Sequence, residues 1–264
     1  MRELADLIWC ECLKLKRKKF VLLVALSAFL FPIPVAMIVS APQYMSMCSS
    51  KAEAFDELYQ MTLGYGVELL LPCVIGVLAA ILFFMERDND TFKNLCTIPV
   101  TSTQMVFAKI ILLFAFSILF CVMSTIATIL CGSVTMEVNG VAYKLFLAVE
   151  LGLFITAGTL PLVVLIVFFS KTYIFSILMC VFYSVLSLTV ESMFGVVPRA
   201  VCWLMPIPLL NFWTAGELNR HGWNLNLKLL EAVIPTTAQT FLILCVMAVV
   251  SMAAIDFFYR KRRD

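Results

Sequence analysis

Residues 106–130 read VFAKIILLFAFSILFCVMSTIATIL, twenty-five positions with one ionisable side chain, Lys109. As an α-helix this run extends about 37 Å, more than the roughly 30 Å of a bilayer's hydrocarbon core. No soluble domain has a use for so long an uninterrupted apolar stretch. The rest of the chain repeats the pattern. Of its 264 residues, 62% are hydrophobic and 14% charged, with a mean hydropathy of +1.01. Ordinary soluble domains run to about 45–50% apolar and 25% charged. Six apolar runs are long enough to cross a membrane, at about 20–40, 66–85, 106–130, 147–169, 173–190 and 239–258. The expected fold class is therefore an all-α polytopic membrane protein of six transmembrane helices, forming a single domain over 1–264.

The charges between the runs sort by sign. With the N-terminus inside, the inner flanks hold Arg2, Lys14, Lys16, Arg17, Lys18, Lys19, Arg87, Lys93, Lys109, Lys171 and the run Arg260-Lys261-Arg262-Arg263. The outer segments hold only Lys51, Lys144, Arg199, Arg220 and Lys228, against the acids Glu53, Asp56, Glu57, Glu68, Glu137, Glu150, Glu191, Glu217 and Glu231. Excess Lys and Arg on one side marks that side as cytoplasmic, so both termini are expected in the cytoplasm. The formal net charge of +2 hides a positive inner face and a negative outer one. A cleavable signal peptide competes for the N-terminus, since Val39-Ser40-Ala41 has the small-residue pattern of a cleavage site. The apolar run is too long for an h-region and Pro42 follows at once, so a retained anchor is expected.

Residues 1–19 mix Leu4, Leu7, Ile8, Trp9 and Leu15 with Glu3, Asp6, Glu11 and the basic run 16–19, a partly helical periodicity that reads as an interfacial amphipathic helix. A bare positive-inside anchor accounts for the charges equally well. Residues 191–238 form a long outer connection in which 200–213 is apolar but too short and proline-broken to span; interfacial or re-entrant structure is expected there. Pro32, Pro34, Pro72 and Pro161 fall within spans and bend them.

Several chemistries are excluded. The single histidine, His221, rules out a multi-histidine metal site, and no two cysteines have C-x-x-C spacing. Cys48 and Cys202 both fall outside, with nothing in the sequence to pair them. There is no G-x-x-x-x-G-K-[ST], so the chain carries no ATP site of its own and is not expected to be an enzyme. Ionisable residues are nearly missing from span interiors, unlike carriers driven by ion gradients. Energy for transport is expected from a partner.

The segment following the second span concentrates charge: Glu86-Arg87-Asp88-Asn89-Asp90-Thr91-Phe92-Lys93-Asn94-Leu95, then Pro99-Val100-Thr101 and Ala108-Lys109. At about 2.5–3.5 kcal/mol per charge at the bilayer centre, five such residues must face water. This series resembles the cytoplasmic segment of ABC-2 type permeases, where an acidic residue ends the second span and a short helix and a Pro-Val-Ser/Thr turn lead into a third span opening with Ala-Lys. Within that family the chain is most similar to the small permeases of lantibiotic self-immunity and bacitracin-resistance exporters, partly through Trp203-Leu204-Met205-Pro206-Ile207-Pro208.

The resemblance implies that 86–105 is a coupling segment, with Glu86, Arg87, Asp88, Thr91, Phe92, Lys93 and Leu95 docking on a cytoplasmic P-loop ATPase dimer that holds ATP and Mg. It further implies a second permease chain, identical or paralogous, a bacterial plasma-membrane location and lipid contact. Its implied cargo is an antimicrobial peptide expelled from the membrane. Nothing points to nucleic acid. Independently of the family, Glu68, Glu150 and Glu191 sit at outer helix mouths and are the candidates for contacting a cationic substrate, though topology bias alone also depletes outer Lys and Arg. An intramembrane enzyme or a non-transporting peptide sensor remains the alternative. The former lacks a base beside Ser117, Ser124, Thr125 and Thr128.

Overall fold

The computed structural model describes residues 2–17, 26–88, 101–169, 173–223 and 233–263. Its helices are α1 (Arg2–Arg17), α2 (Pro32–Val39), α3 (Pro42–Met45), α4 (Lys51–Met61), a π-helix π1 (Thr62–Glu68), α5 (Leu70–Asp88), α6 (Ser102–Gly132), α7 (Val141–Phe168), α8 (Tyr173–Ser192), α9 (Arg199–Leu204), α10 (Pro206–Arg220) and α11 (Thr237–Arg263). No strand occurs among the described residues. Five helices among them are long and apolar enough to cross a membrane: Lys51–Phe84, Ser102–Gly132, Val141–Phe168, Ile174–Ser192 and Thr237–Lys261. Of the first apolar run, residues 20–25 lie outside the described ones; the described remainder has helical residues 26–27, a turn at 28–31 and the eight-residue α2.

The long helices begin where side chains can satisfy their first amides. Thr101 and Gln104 form a reciprocal capping box at α6, the Thr101 hydroxyl accepting from the Gln104 amide at 3.3 Å and the Gln104 side chain accepting from the Thr101 amide at 3.0 Å. Thr236 and Gln239 repeat it at α11, at 3.3 and 3.0 Å. Such Thr-x-x-Gln pairs fix a helix start. At α4, the Ser50 hydroxyl accepts from the Glu53 amide at 3.1 Å.

The core runs along α5, α6 and α7, with Leu78, Leu113, Leu151 and Val163 fully buried. Close approach there depends on small residues, as is general between membrane helices. A Cβ on Gly152 of α7 would lie 2.8 Å from the Ile118 Cα of α6, and one on Gly158 would lie 2.5 Å from the Pro206 Cβ. The second contact brings the start of α10 against the middle of α7. By contrast, α8 and α11 turn apolar faces outward, among them Ile177, Val181, Phe182, Leu242, Val246 and Val250. Such faces suit lipid.

Two prolines interrupt the spans, and α8 compensates both. Pro72 and Pro161 have no amide hydrogen and open the turn before them. Three residues before Pro72, the Leu69 carbonyl accepts a hydrogen bond from Ser184 at 3.3 Å. Three residues before Pro161, the Gly158 carbonyl accepts one from Tyr183 at 3.2 Å. Adjacent hydroxyls on α8 thus supply donors where the helical ladder is weakened, the usual way membrane proteins accommodate proline.

The helix ends sort into two poles. At one, Lys109 of α6 reaches α5 and α1, Arg260 of α11 donates to the Thr103 hydroxyl at 2.7 Å, and the Phe168 and Phe258 rings meet at 5.0 Å. At the other, Ser40 bonds Thr135 at 2.8 Å and Lys144 pairs with Asp56 at 2.8 Å. Cys48 and Cys202 belong to separate apolar clusters and are not bridged.

Candidate functional site

The pole holding α1 carries the junction between α5 and α6; residues 89–100, among them Thr91, Phe92, Lys93 and Leu95, lie outside the described ones. Glu86, Arg87 and Asp88 are the last residues of α5. Twelve residues separate the end of α5 from the Thr101 cap of α6. The two stems are joined directly: Lys109 Nζ donates to the Leu82 carbonyl at 2.6 Å and lies 5.6 Å from the Phe83 ring centre.

Lys109 also meets Glu11 Oε2 of α1 at 3.4 Å, and Glu11 pairs with Lys14 as well. Glu11 and Lys109 are both buried, at 5% and 0% exposure. A charge is tolerated there only because it is paired and hydrogen-bonded. The face of α1 that bears Ile8, Glu11, Cys12 and Leu15 turns to the bundle. Trp9 and Leu13, spaced i, i+4 on another face, stay 67% and 42% exposed. An apolar ridge left outside on a helix with a charged, docked face fits an interfacial position.

The opposite pole holds a cavity of about 930 Å³ between α4 with π1, the end of α8 and the middle of α10. Glu57, Glu68 and Glu191 line it, with Gln60, Tyr65 and Asn211. Glu68, the last residue of π1, is 3% exposed and accepts from Asn211 Nδ2 at 2.7 Å. The wide turn of a π-helix is rare and concentrates at functional sites; here it precedes Pro72, whose missing donor prevents a regular ladder from continuing through the Glu68 carbonyl. Glu68 and Glu191 therefore meet at one cavity. Glu150, on α7, is not among its lining residues.

Beside the cavity, Lys144 of α7 is enclosed by Asp56 at 2.8 Å, the Asn139 carbonyl at 3.1 Å and the Asn139 side chain. Its ammonium lies 4.1 Å from the Phe55 ring centre, 5.0 Å from Trp223 and 5.3 Å from Tyr59. This is a cation–π enclosure that pins α4 to α7. Glu217 of α10 accepts from Arg220 of the same helix at 2.7 Å and from the Thr237 hydroxyl at the start of α11 at 2.5 Å.

Sequence reasoning missed Glu57, Gln60 and Asn211 at the cavity. Glu53, Glu57, Gln60 and Gly64 follow the i, i+4, i+7, i+11 spacing of one helix face, a signal legible once 51–68 is read as helix rather than connection. It also missed Glu11 as the partner of Lys109, which no local pattern announces. No group of three or more metal-ligating side chains occurs among the described residues.

Buried apolar helices spanning the molecule, a docked amphipathic helix and paired stems at one pole define a multi-pass membrane protein of transporter type. Residues 7–187 match the family model described as ABC-2 family transporter protein. The chain belongs to that family and is the permease subunit of an ABC transporter, working with an ABC ATPase partner. No curated protein matches it.

Proposed function

We propose that this permease works in an ATP-driven exporter that expels an antimicrobial peptide, lantibiotic- or bacitracin-like, from a bacterial plasma membrane. Two permease chains, identical or paralogous, pair around the pathway. Hydrolysis belongs to a P-loop ATPase dimer holding ATP and Mg; this chain contributes no catalytic group. The pole with α1 faces the cytoplasm and both termini lie there, in keeping with the Lys and Arg excess of its flanks. The remaining apolar run within 20–40 supplies a sixth span, and α9 with α10 dips into the bilayer as a re-entrant pair, for which the contact of Pro206 with Gly158 speaks.

The observation that carries the coupling reading is the Lys109 junction. It ties the stem entering the charged segment, the stem leaving it and α1 into one unit. Pushing on 86–95 then moves α5 and α6 together, and a rigid-body shift of packed helices switches access between the two sides. On this reading Phe92 and Leu95, three positions apart in the sequence, are the apolar docking residues, and Glu86, Arg87, Asp88, Thr91 and Lys93 are the charged and polar ones.

The test is copurification with the ATPase, followed by ATP hydrolysis with and without a cationic lantibiotic. Phe92→Ala and Arg87→Ala are expected to abolish the stimulation. Full stimulation in both variants would remove the docking assignment.

A further inference from the structure

We propose that the cavity between π1, α8 and α10 is a binding site for a short cationic segment of a peptide, a lysine or arginine side chain flanked by apolar residues. This deepens the peptide-export reading and rests on it for the class of ligand.

Four features converge. The cavity's walls bring carboxylates from two elements, Glu57 and Glu68 from the α4–π1 stretch and Glu191 from α8, and its described lining contains no Lys, Arg or His. A neighbouring recess of about 380 Å³ shares Glu57 and Gln60 and adds Glu53 and Asp56. Of these acids, Asp56 is paired with Lys144, Glu53 accepts from the Ser49 amide and Glu68 accepts from Asn211, so Glu57 and Glu191 are the carboxylates that a ligand in the cavity would meet.

Glu191 stands in the last turn of α8, which has no basic residue. The carbonyl end of a helix disfavours an acid and favours a cation. Placing Glu191 there works against the helix unless a positive group arrives from outside, and such local conflicts in an otherwise consistent sequence mark functional positions.

The remaining walls are apolar, including Met61, Val185, Leu188, Phe212 and Leu218. Tyr65 is 57% exposed at this site, and its ring is suited to contact a cation. A small ion has no use for such walls, whereas an amphipathic segment meets them with its apolar flanks. The 930 Å³ volume lies within the roughly 300–1,000 Å³ of preformed ligand sites, so the cavity holds a few residues and not a whole peptide. Finally, Gly64 lines the cavity, and a Cβ there would meet nothing within 4 Å. The side chain it lacks leaves room for the ligand and offers a position from which the cavity can be filled.

The test uses the full chain in phosphatidylcholine nanodiscs and a dansyl-labelled Lys-Leu-Lys-Phe amide, read by fluorescence anisotropy. Saturable binding is expected, at least about tenfold weaker when both lysines are acetylated and at least about tenfold weaker in the near-isosteric pair Glu57→Gln/Glu191→Gln. Gly64→Phe is expected to weaken it comparably with no change in the thermal unfolding midpoint. Equal binding of the acetylated peptide overturns the electrostatic assignment, and wild-type binding by Gly64→Phe places any site elsewhere. Loss of peptide binding when phosphatidylethanolamine replaces phosphatidylcholine would assign the cavity to a lipid headgroup and remove the peptide. Peptide-stimulated ATP hydrolysis in a complex whose cavity fails these tests would sink the site while leaving the export reading intact; failure to copurify with an ATPase would do the reverse.

Discussion

Replacing Lys109 with Met removes a cation that meets both the Leu82 carbonyl at 2.6 Å and Glu11 at 3.4 Å. The side chains of Lys109 and Glu11 are 1% and 6% exposed, so the remaining carboxylate is left away from water. Breaking a buried pair by removing one partner costs about 3–5 kcal/mol. Glu11 keeps Lys14, whose side chain is 36% exposed, which places the expected loss near the lower end, about 3 kcal/mol. Removing both charges with Glu11→Leu/Lys109→Met takes away the buried carboxylate that the single variant leaves with one cation fewer, and apolar replacement of buried ion pairs is often neutral. The double variant should therefore be more stable than Lys109→Met alone. Unfolding in detergent by a denaturant titration, arranged as a double-mutant cycle, reads both quantities. A Lys109→Met variant within about 0.5 kcal/mol of wild type, on the scale of ordinary surface changes, would refute the idea that this pair clamps α1 to the two stems. In complex with the ATPase, the double variant keeps its fold but loses the polar tie, so hydrolysis is expected to respond less to substrate.

The proline compensation on α8 is tested by Tyr183→Phe, which removes the donor to the Gly158 carbonyl; hydrogen bonds between membrane helices are worth about 0.6 kcal/mol on average and about 1.7 at most, and a loss in that range by denaturant unfolding is expected. An unchanged midpoint would show that the Pro161 turn needs no help from α8. At Gly152, a leucine would push on the Ile118 backbone, since even a Cβ lies 2.8 Å from its Cα. Overpacking costs about 1–3 kcal/mol, so Gly152→Leu should lower the thermal unfolding temperature, and wild-type stability would contradict the close approach of α6 and α7.

Hydropathy made the long helices legible because each must present about twenty apolar residues to lipid, whatever it packs against. The runs 106–130, 173–190 and 239–258 each fall within one helix, α6, α8 and α11. Helix ends were less legible, since a cap such as Thr101 or Thr236 is polar and lies outside the oil. The stretch 51–65 carries Glu53, Asp56, Glu57 and Gln60, so a hydropathy window sees a connection where the structure has helix continuing towards α5. Pair contacts were the least legible. Glu68 with Asn211 and Lys109 with Glu11 join positions 143 and 98 residues apart, and only the packing of the bundle brings such residues together. Charge sign placed Lys144 in an outer segment and said nothing of its surroundings, in which Phe55, Tyr59 and Trp223 enclose it.

Everything proposed about energy input depends on the side of the membrane that the charged stretch after α5 occupies. A cysteine placed at Asn94 in a chain otherwise free of cysteine, treated with a membrane-impermeant maleimide, reports that side directly. Labelling is expected in inside-out vesicles and not on intact cells. Ready labelling on intact cells would put the stretch outside, away from any ATPase, and contradict the coupling mechanism.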